Sequence, residues 1–242
     1  MQYHQIHEAV FLHRPNRFIA HVEEAGQPVV AHVKNTGRCA ELLVPGCKVW
    51  LEYSTNPARK TPCDLIAVEK QTAAGPRLIN MDSAAPNAAA GEWLAAGGLG
   101  SLDVLRPEYT VEESRFDFYA RQADRPMLVE VKGCTLEENG LARFPDAPTL
   151  RGVKHVKELT RLVGQGYRCC VLLVIQMKGI HTFTPNWDTH PEFGFALRAA
   201  AAAGVEIHAM DCIVTPDSMT IDQPVPVDLT LPEGMEPDGL TL

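Results

Sequence analysis

SRFDFYARQADRPMLVEVKGCTL, residues 114–136, decides how this chain is read. Two runs rich in β-branched and aromatic residues flank RQADRP, a hairpin turn signal. The expected strands are roughly Ser114 to Ala120 and Met127 to Val131. Side chains alternate across a strand, so Glu130 and Lys132 point the same way. A turn centred between Ala123 and Asp124 sets Asp117 opposite Glu130 on one face, with Cβ atoms about 5 Å apart. Two carboxylates and one ammonium then meet on a single hairpin.

That grouping suits metal-assisted phosphodiester hydrolysis. Asp117, Glu130 and the backbone carbonyl of Val131 offer oxygen ligands to Mg²⁺ or Mn²⁺. Such an ion polarises a phosphate oxygen and lowers the pKa of a bound water. Lys132 would position the attacking water or stabilise transition-state charge. The same D…ExK spacing also fits a solvated strand face carrying a Lys–Glu pair. Its surroundings favour chemistry. A helix, three strands, a helix and a strand, with Asp on the second strand and ExK on the third, is the order of the PD-(D/E)xK nuclease core.

Working outward, Ala84 to Leu99 reads as an Ala-rich helix stopped by Gly97 and Gly98. A domain boundary is expected just before it, dividing the chain into 1–82 and 83–242. A first strand is expected near Glu108 to Val111. Beyond FPDAP, Thr149 is a good N-cap for a helix whose apolar face carries Leu150, Val153, Val156, Leu159 and Leu162. Gly164 and Gly166 end it. Arg168 to Ile175 then reads as a buried strand, so strand, helix and strand form a parallel βαβ unit. A helix from Glu192 to Ala203 and a strand from Val205 to Val214 follow. The proline-containing tail after Thr215 is expected to pack loosely or extend. On the N-terminal side, short strands separated by turn signals run from about residue 7 to 81, with one helical turn in RCAELLVPG. They suggest a small OB-type barrel. The expected fold is therefore α/β in two domains (α+β overall): an OB-fold-like β-barrel and a restriction-endonuclease-like mixed α/β domain.

The formal net charge is −8 over 242 residues, which by itself disfavours nucleic acid. From Asp211 onward there are seven acids (Asp211, Asp217, Asp222, Asp228, Glu233, Glu236, Asp238) and no Lys or Arg. The first 210 residues therefore carry only about −1, which leaves room for a local basic groove. Seven cysteines with no CxxC argue against a disulfide framework or a zinc knuckle and for reduced thiols. No signal peptide or membrane-length apolar run is visible, so a cytoplasmic protein away from the membrane is expected.

Five segments carry a family resemblance: HVKNTGRCAELLVPG (32–46), ARK (58–60), SRFDF (114–118), VEVKGCTL (129–136) and FPDAPTLRGVKH (144–155). Together they resemble the sugar fermentation stimulation protein A family of prokaryotes. The resemblance implies an OB-like barrel, a nuclease-like domain, DNA rather than RNA as the nucleic acid bound, and a regulatory link to sugar use. Its nuclease motif falls on Asp117, Glu130 and Lys132.

Other residues keep two readings. Arg151, Lys154, His155 and Glu158 form a polar stripe, either an exposed face with an i,i+4 pair or, as the resemblance favours, a phosphate site using Arg151 and His155. Glu112 or Glu113 is a further ligand or a strand-end charge, and Asp146 a cap for the helix or a group facing the metal. Arg115 either contacts phosphate or pairs with Glu. Lys34, Asn35, Thr36 and Arg38, with Arg59 and Lys60, form a nucleic-acid surface or an ordinary turn. Trp50, Tyr53 and Phe18 are stacking platforms or, as favoured, core. Three functions compete: a metal-dependent nuclease, a non-catalytic DNA-binding transcriptional regulator on a nuclease scaffold, and a small-molecule enzyme using the same carboxylates. A homo-oligomer is left open.

Overall fold

The computed structural model describes residues 1–35 and 37–236. Its first sheet contains β1 (Ile6–Asn16), β2 (Ile19–Glu24), β3 (Gln27–Val33), β4 (Lys48–Tyr53), β5 (Cys63–Thr72) and β6 (Gly75–Asn80). The order is β3-β2-β1-β4-β5-β6, and a parallel β3–β5 pairing closes the sheet on itself. That closure is the OB barrel, and it removes the exposed edges of the five strands involved. Alternation decides what lies inside: Ala9 and Phe11, Ala20 and Val22, Ala31 and Val33 are all buried. The segment after β3 turns rather than forming a helix, and drops Leu42 and Leu43 into the core. Trp50 is buried as expected and Tyr53 half-buried, but Phe18 is 48% exposed, contrary to its expected core role.

The second sheet has the order β15-β14-β12-β9-β8-β7. Its strands are β7 (Val104–Val111), β8 (Ser114–Gln122), β9 (Arg125–Cys134), β12 (Arg168–Ile175), β14 (Glu206–Thr215) and β15 (Ser218–Val225). Helix α1 (Ala85–Ala95) covers one face; α2 (Leu150–Val163) and α3 (Pro191–Ala202) cover the other. A small sheet of β10 (Leu136–Glu138), β11 (Leu141–Phe144) and β13 (Thr182–Pro185) is inserted beside them. The expected βαβ unit is present: β9 and β12 pair in parallel from Met127–Arg168 to Cys134–Ile175, with α2 in the connection. The Thr149 hydroxyl accepts the Gly152 N–H and starts α2. Val156, Leu159 and Leu162 are buried on it, whereas Leu150, on the first turn, projects to solvent.

The tail corrects the sequence reading. Ser218–Val225 is an edge strand paired antiparallel with β14, burying Met219, Ile221 and Val225. Pro224 is tolerated there because an edge strand needs no N–H on its outer side. Pro237 and Asp238 lie outside the described residues. The chain start also crosses to this sheet: the Tyr3 N–H donates to the Asp217 carbonyl at 2.7 Å. All seven cysteines are free, and among the described residues no helix is long and apolar enough to cross a membrane.

The barrel is pinned to the small sheet through Glu137 on β10, whose side chain is 1% exposed. It accepts Lys70 Nζ at 2.9 Å and the Gly140 N–H at 2.7 Å. Arg77 Nη1 lies 2.7 Å from Glu137 Oε1 but off the hydrogen-bond direction, so that contact is Coulombic. Burial alone would push this carboxyl up; Lys70, Gly140 and Arg77 outweigh it and hold it below the ordinary glutamate range. A depressed carboxyl stabilises the fold fully above its unfolded pKa, about 4.3. That contribution is lost as pH falls through the lower folded value. Glu137→Ala should cost about 3 kcal/mol at neutral pH by leaving two cations without their anion. Urea unfolding measured from neutral to acid pH should show the deficit shrinking at the acid end.

Candidate metal centre

The hairpin turn is Ala123–Asp124, both with positive φ (46° and 65°), as a two-residue type I′ loop requires. The register runs from Gln122↔Arg125 to Phe118↔Val129. This is the register that sets Asp117 against Glu130. The regular ladder stops there. Phe118 lies against α1, where a Cβ on Gly91 would come within 3.3 Å of its ring. Phe116, two residues away, instead packs on His155 of α2, with ring centroids 6.0 Å apart. Residues i and i+2 of a regular strand share a face, so β8 is kinked at Asp117. The neighbouring strand is kinked at the same level, with Glu108 at φ 52°. Backbone strain of this kind concentrates at functional sites.

The kink opens a gap between β8 and β9 that the Asp117 carboxylate enters. Its Oδ2 accepts the Val131 N–H at 2.7 Å, replacing a lost ladder bond. Its Oδ1 accepts Asn87 Nδ2 of α1 at 2.8 Å. A strand residue turns its N–H and C=O toward the same neighbour, so the Val131 carbonyl faces this gap too. Asn87 escaped the sequence reading, because an amide on an Ala-rich helix has no motif that places it against a strand.

Glu130 is 2% exposed. Its Oε1 accepts Lys132 Nζ and His155 Nδ1, each at 2.5 Å. Arg151 Nε donates to His155 Nε2 at 3.4 Å, which leaves the imidazole proton on Nδ1, facing Glu130. Lys132 and His155 thus converge on one oxygen, with Arg151 behind the imidazole. The other, Oε2, is buried with no hydrogen-bond partner. An unpaired buried acceptor is costly, and an anionic one beside a second carboxylate and a backbone carbonyl fits a bound cation. Burial raises both carboxyls. For Glu130, the His155 hydrogen bond and the Lys132 charge outweigh it and the net shift is down. For Asp117, burial and then the Glu130 charge dominate, and the net shift is up.

His155 is buried rather than part of an exposed stripe, and Glu158 pairs with Arg161, not Lys154. Lys154 and Arg151 are exposed. Glu112 reaches Arg161 at 2.7 Å, and Arg115 is 3.9 Å from Glu108 on the exposed face. Asp146 does not cap α2; its carboxylate abuts Gly37, where a Cβ would meet Oδ2 at 2.2 Å.

The N-terminal basic residues do not gather as a free surface. Lys34 Nζ lies 2.7 Å from Asp82, and Arg59 and His32 hold Asp64. Burial would raise Asp64, but Arg59, His32 and Lys34 bring it below its ordinary range. Asn35 bridges the Met81 carbonyl and the Gly37 N–H, a turn role. Arg38 and Lys60 are exposed, and Thr36 lies outside the described residues.

The raised Asp117 carboxyl yields a test of the electrostatics. A native carboxyl that prefers its proton loses stability on ionising; the penalty exists above its pKa and disappears as pH falls through it. Asp117→Asn should therefore raise the melting temperature in EDTA at neutral pH, with the gain fading toward acid pH. An unchanged or lower melting temperature at neutral pH contradicts carboxylate repulsion.

Residues 84–218 match the sugar fermentation stimulation protein RE domain, and residues 12–80 the SfsA N-terminal OB domain. The sugar fermentation stimulation protein homolog of Desulfitobacterium hafniense (strain Y51) is 53% identical over 229 residues, spanning 95% of this chain and 99% of the relative. That of Ruminiclostridium cellulolyticum is 49% identical over 230 residues, with 95% and 100% covered. Pyrococcus furiosus SfsA, solved in complex with Ca²⁺, matches with a TM-score of 0.81 at 25% identity, over 94% of this chain and 98% of that one. The kinked hairpin and the closed barrel thus sit in a chain that belongs to the sugar fermentation stimulation protein family.

Proposed function

We propose that this chain is a metal-dependent nuclease that hydrolyses phosphodiester bonds in DNA, ahead of RNA, in the cytoplasm. The observation that carries the reading is Glu130 Oε2, a buried carboxylate oxygen without a donor, beside Asp117 and the gap-facing Val131 carbonyl. Among the described residues no three His, Cys, Asp or Glu side chains gather as a metal cage. Two carboxylates and a carbonyl suit a hard ion that keeps several waters, Mg²⁺ or Mn²⁺, rather than zinc. The relative solved with Ca²⁺, also an oxygen-seeking ion, supports that donor class. When bound, such an ion would polarise a phosphate oxygen and make a nearby water acidic.

The chain's own groups would do the rest. Lys132 Nζ, 16% exposed and anchored on Glu130, would orient a water for attack and offset charge on the phosphate. His155 would hold the Glu130 carboxylate in one orientation through Nδ1, acting as a positioning residue. Arg151, exposed at the rim, would receive the phosphate. The barrel, residues 1–82, would serve as the nucleic-acid-binding arm. The free cysteines fit a reducing compartment.

Purified protein should cleave DNA with Mg²⁺ or Mn²⁺ and not with EDTA. Asp117→Ala should abolish cleavage, and Lys132→Ala should slow it about 10²–10³-fold without unfolding the protein. Failure to cut single-stranded, duplex and branched substrates with either ion would falsify the reading. By calorimetry with Mn²⁺, His155→Ala should weaken binding about 10- to 100-fold; an unchanged affinity removes its positioning role.

A further inference from the structure

We infer that the β1–β2 turn of the barrel, Arg17 and Phe18 with the strand ends that flank it, is a stacking platform for single-stranded nucleic acid, with Phe18 as the ring on which a base lies. The inference assigns a substrate form to the proposed nuclease site and rests on that reading for where the strand leads. Binding itself does not depend on cleavage.

Large aromatic side chains are normally buried where they can be. Phe18 is 48% exposed although its own backbone is fixed in the sheet, its carbonyl accepting the Val33 N–H at 2.8 Å. The loop is braced rather than loose. Asn16 Oδ1 accepts the N–H groups of Phe18 and Ile19, at 2.9 and 3.1 Å. The Arg14 guanidinium donates to the Arg17 carbonyl at 2.5 Å and the Arg38 carbonyl at 2.9 Å. A ring held this way loses little freedom when a base stacks on it. The Arg17 guanidinium carbon lies 5.9 Å from the ring centroid, so the cation sits beside the stacking surface. Two strand residues behind the loop, His13 and His21, stack on each other at 4.5 Å and extend a planar, polar-edged surface.

Charge selects the occupant. Between residues 9 and 40 the only acids are Glu23 and Glu24, against Arg14, Arg17 and Arg38; Lys34 is already paired with Asp82. Both glutamates lie at the far end of β2 from Phe18, and Glu24 is bound by Tyr53 and His7. In a chain of net charge −8 this is a local cationic surface, and it suits a polyanion better than an apolar protein partner. Aromatic rings interleaved with cations mark single strands, since bases within a duplex already stack on one another.

The platform is joined to the candidate centre. Arg38, held by Arg14, donates Nη2 to the Asp146 carbonyl at 2.9 Å. Asp146 and Gly133 line the same 110 Å³ cavity, and Gly133 follows Lys132 in β9. A strand stacked on Phe18 would therefore have that cavity, at the end of the strand that carries Glu130 and Lys132, as its neighbour.

The test is binding of fluorescein-labelled oligothymidylate, oligouridylate and a duplex to the full chain in EDTA, read by anisotropy at low and moderate salt. Single strands should bind more tightly than duplex, with the DNA and RNA arms fixing the sugar preference. Phe18→Leu should weaken single-strand binding about tenfold with the melting temperature unchanged, and Phe18→Trp should restore it. A parent protein that binds single strands through Phe18 yet cuts no substrate with Mg²⁺ or Mn²⁺ would sink the nuclease reading alone. Equal affinity of Phe18→Leu and the parent, preference for duplex, or a Phe18-dependent dimer in sedimentation would each overturn the platform.

Discussion

A carboxylate buried inside a sheet must be compensated, and the second domain is arranged around that requirement at Glu130. One oxygen is shared by Lys132 from the same strand and His155 from the crossover helix. The other is left without a donor. Full compensation would make Glu130 a structural ion pair; the unpaired oxygen keeps an electrostatic demand directed at Asp117. Ionising Asp117 beside the charged Glu130 costs the folded chain free energy, which a cation between them would return. Sites built for chemistry carry such stored cost.

The geometry that permits this is a defect in β-structure. A regular β8 would set Phe116 and Phe118 on one face and hold the Val131 N–H in the ladder. The kink instead sends the two rings to opposite helices and turns that N–H onto Asp117. Each half of the defect is anchored by packing: Phe118 under α1, Phe116 against His155 on α2. The same helices supply Asn87 and His155 as partners for the two carboxylates. Fold and site therefore share their contacts.

Electrostatics divides the barrel as well. On the side toward Asp64 and Asp82, Lys34 and Arg59 are held in ion pairs and His32 in a hydrogen bond. At the β1–β2 turn Arg17 stays exposed beside Phe18, and Arg38, also exposed, reaches the Asp146 carbonyl. Glu137 holds the two domains together through Lys70 and Arg77. Its buried pairing joins the barrel to β10, close in sequence to the ExK strand.

Local signals carried much of this molecule. The hairpin register followed from its turn, the α2 boundary from Thr149, and the parallel βαβ unit from an apolar run after an amphipathic helix. Closure of the barrel was legible in the spacing of short strands. The turn and the cap depend on contacts between near neighbours in the chain, and the barrel and the βαβ unit on the order and period of their strands, which residue type encodes directly. Asn87 against Asp117, the burial of His155, the pairing of Lys34 and Arg59 with aspartates, and the exposure of Phe18 were not legible. Each depends on which segments distant in sequence come to lie together. Charge and periodicity count a side chain's type; only the folded arrangement decides whether an opposite charge, a ring or water stands beside it.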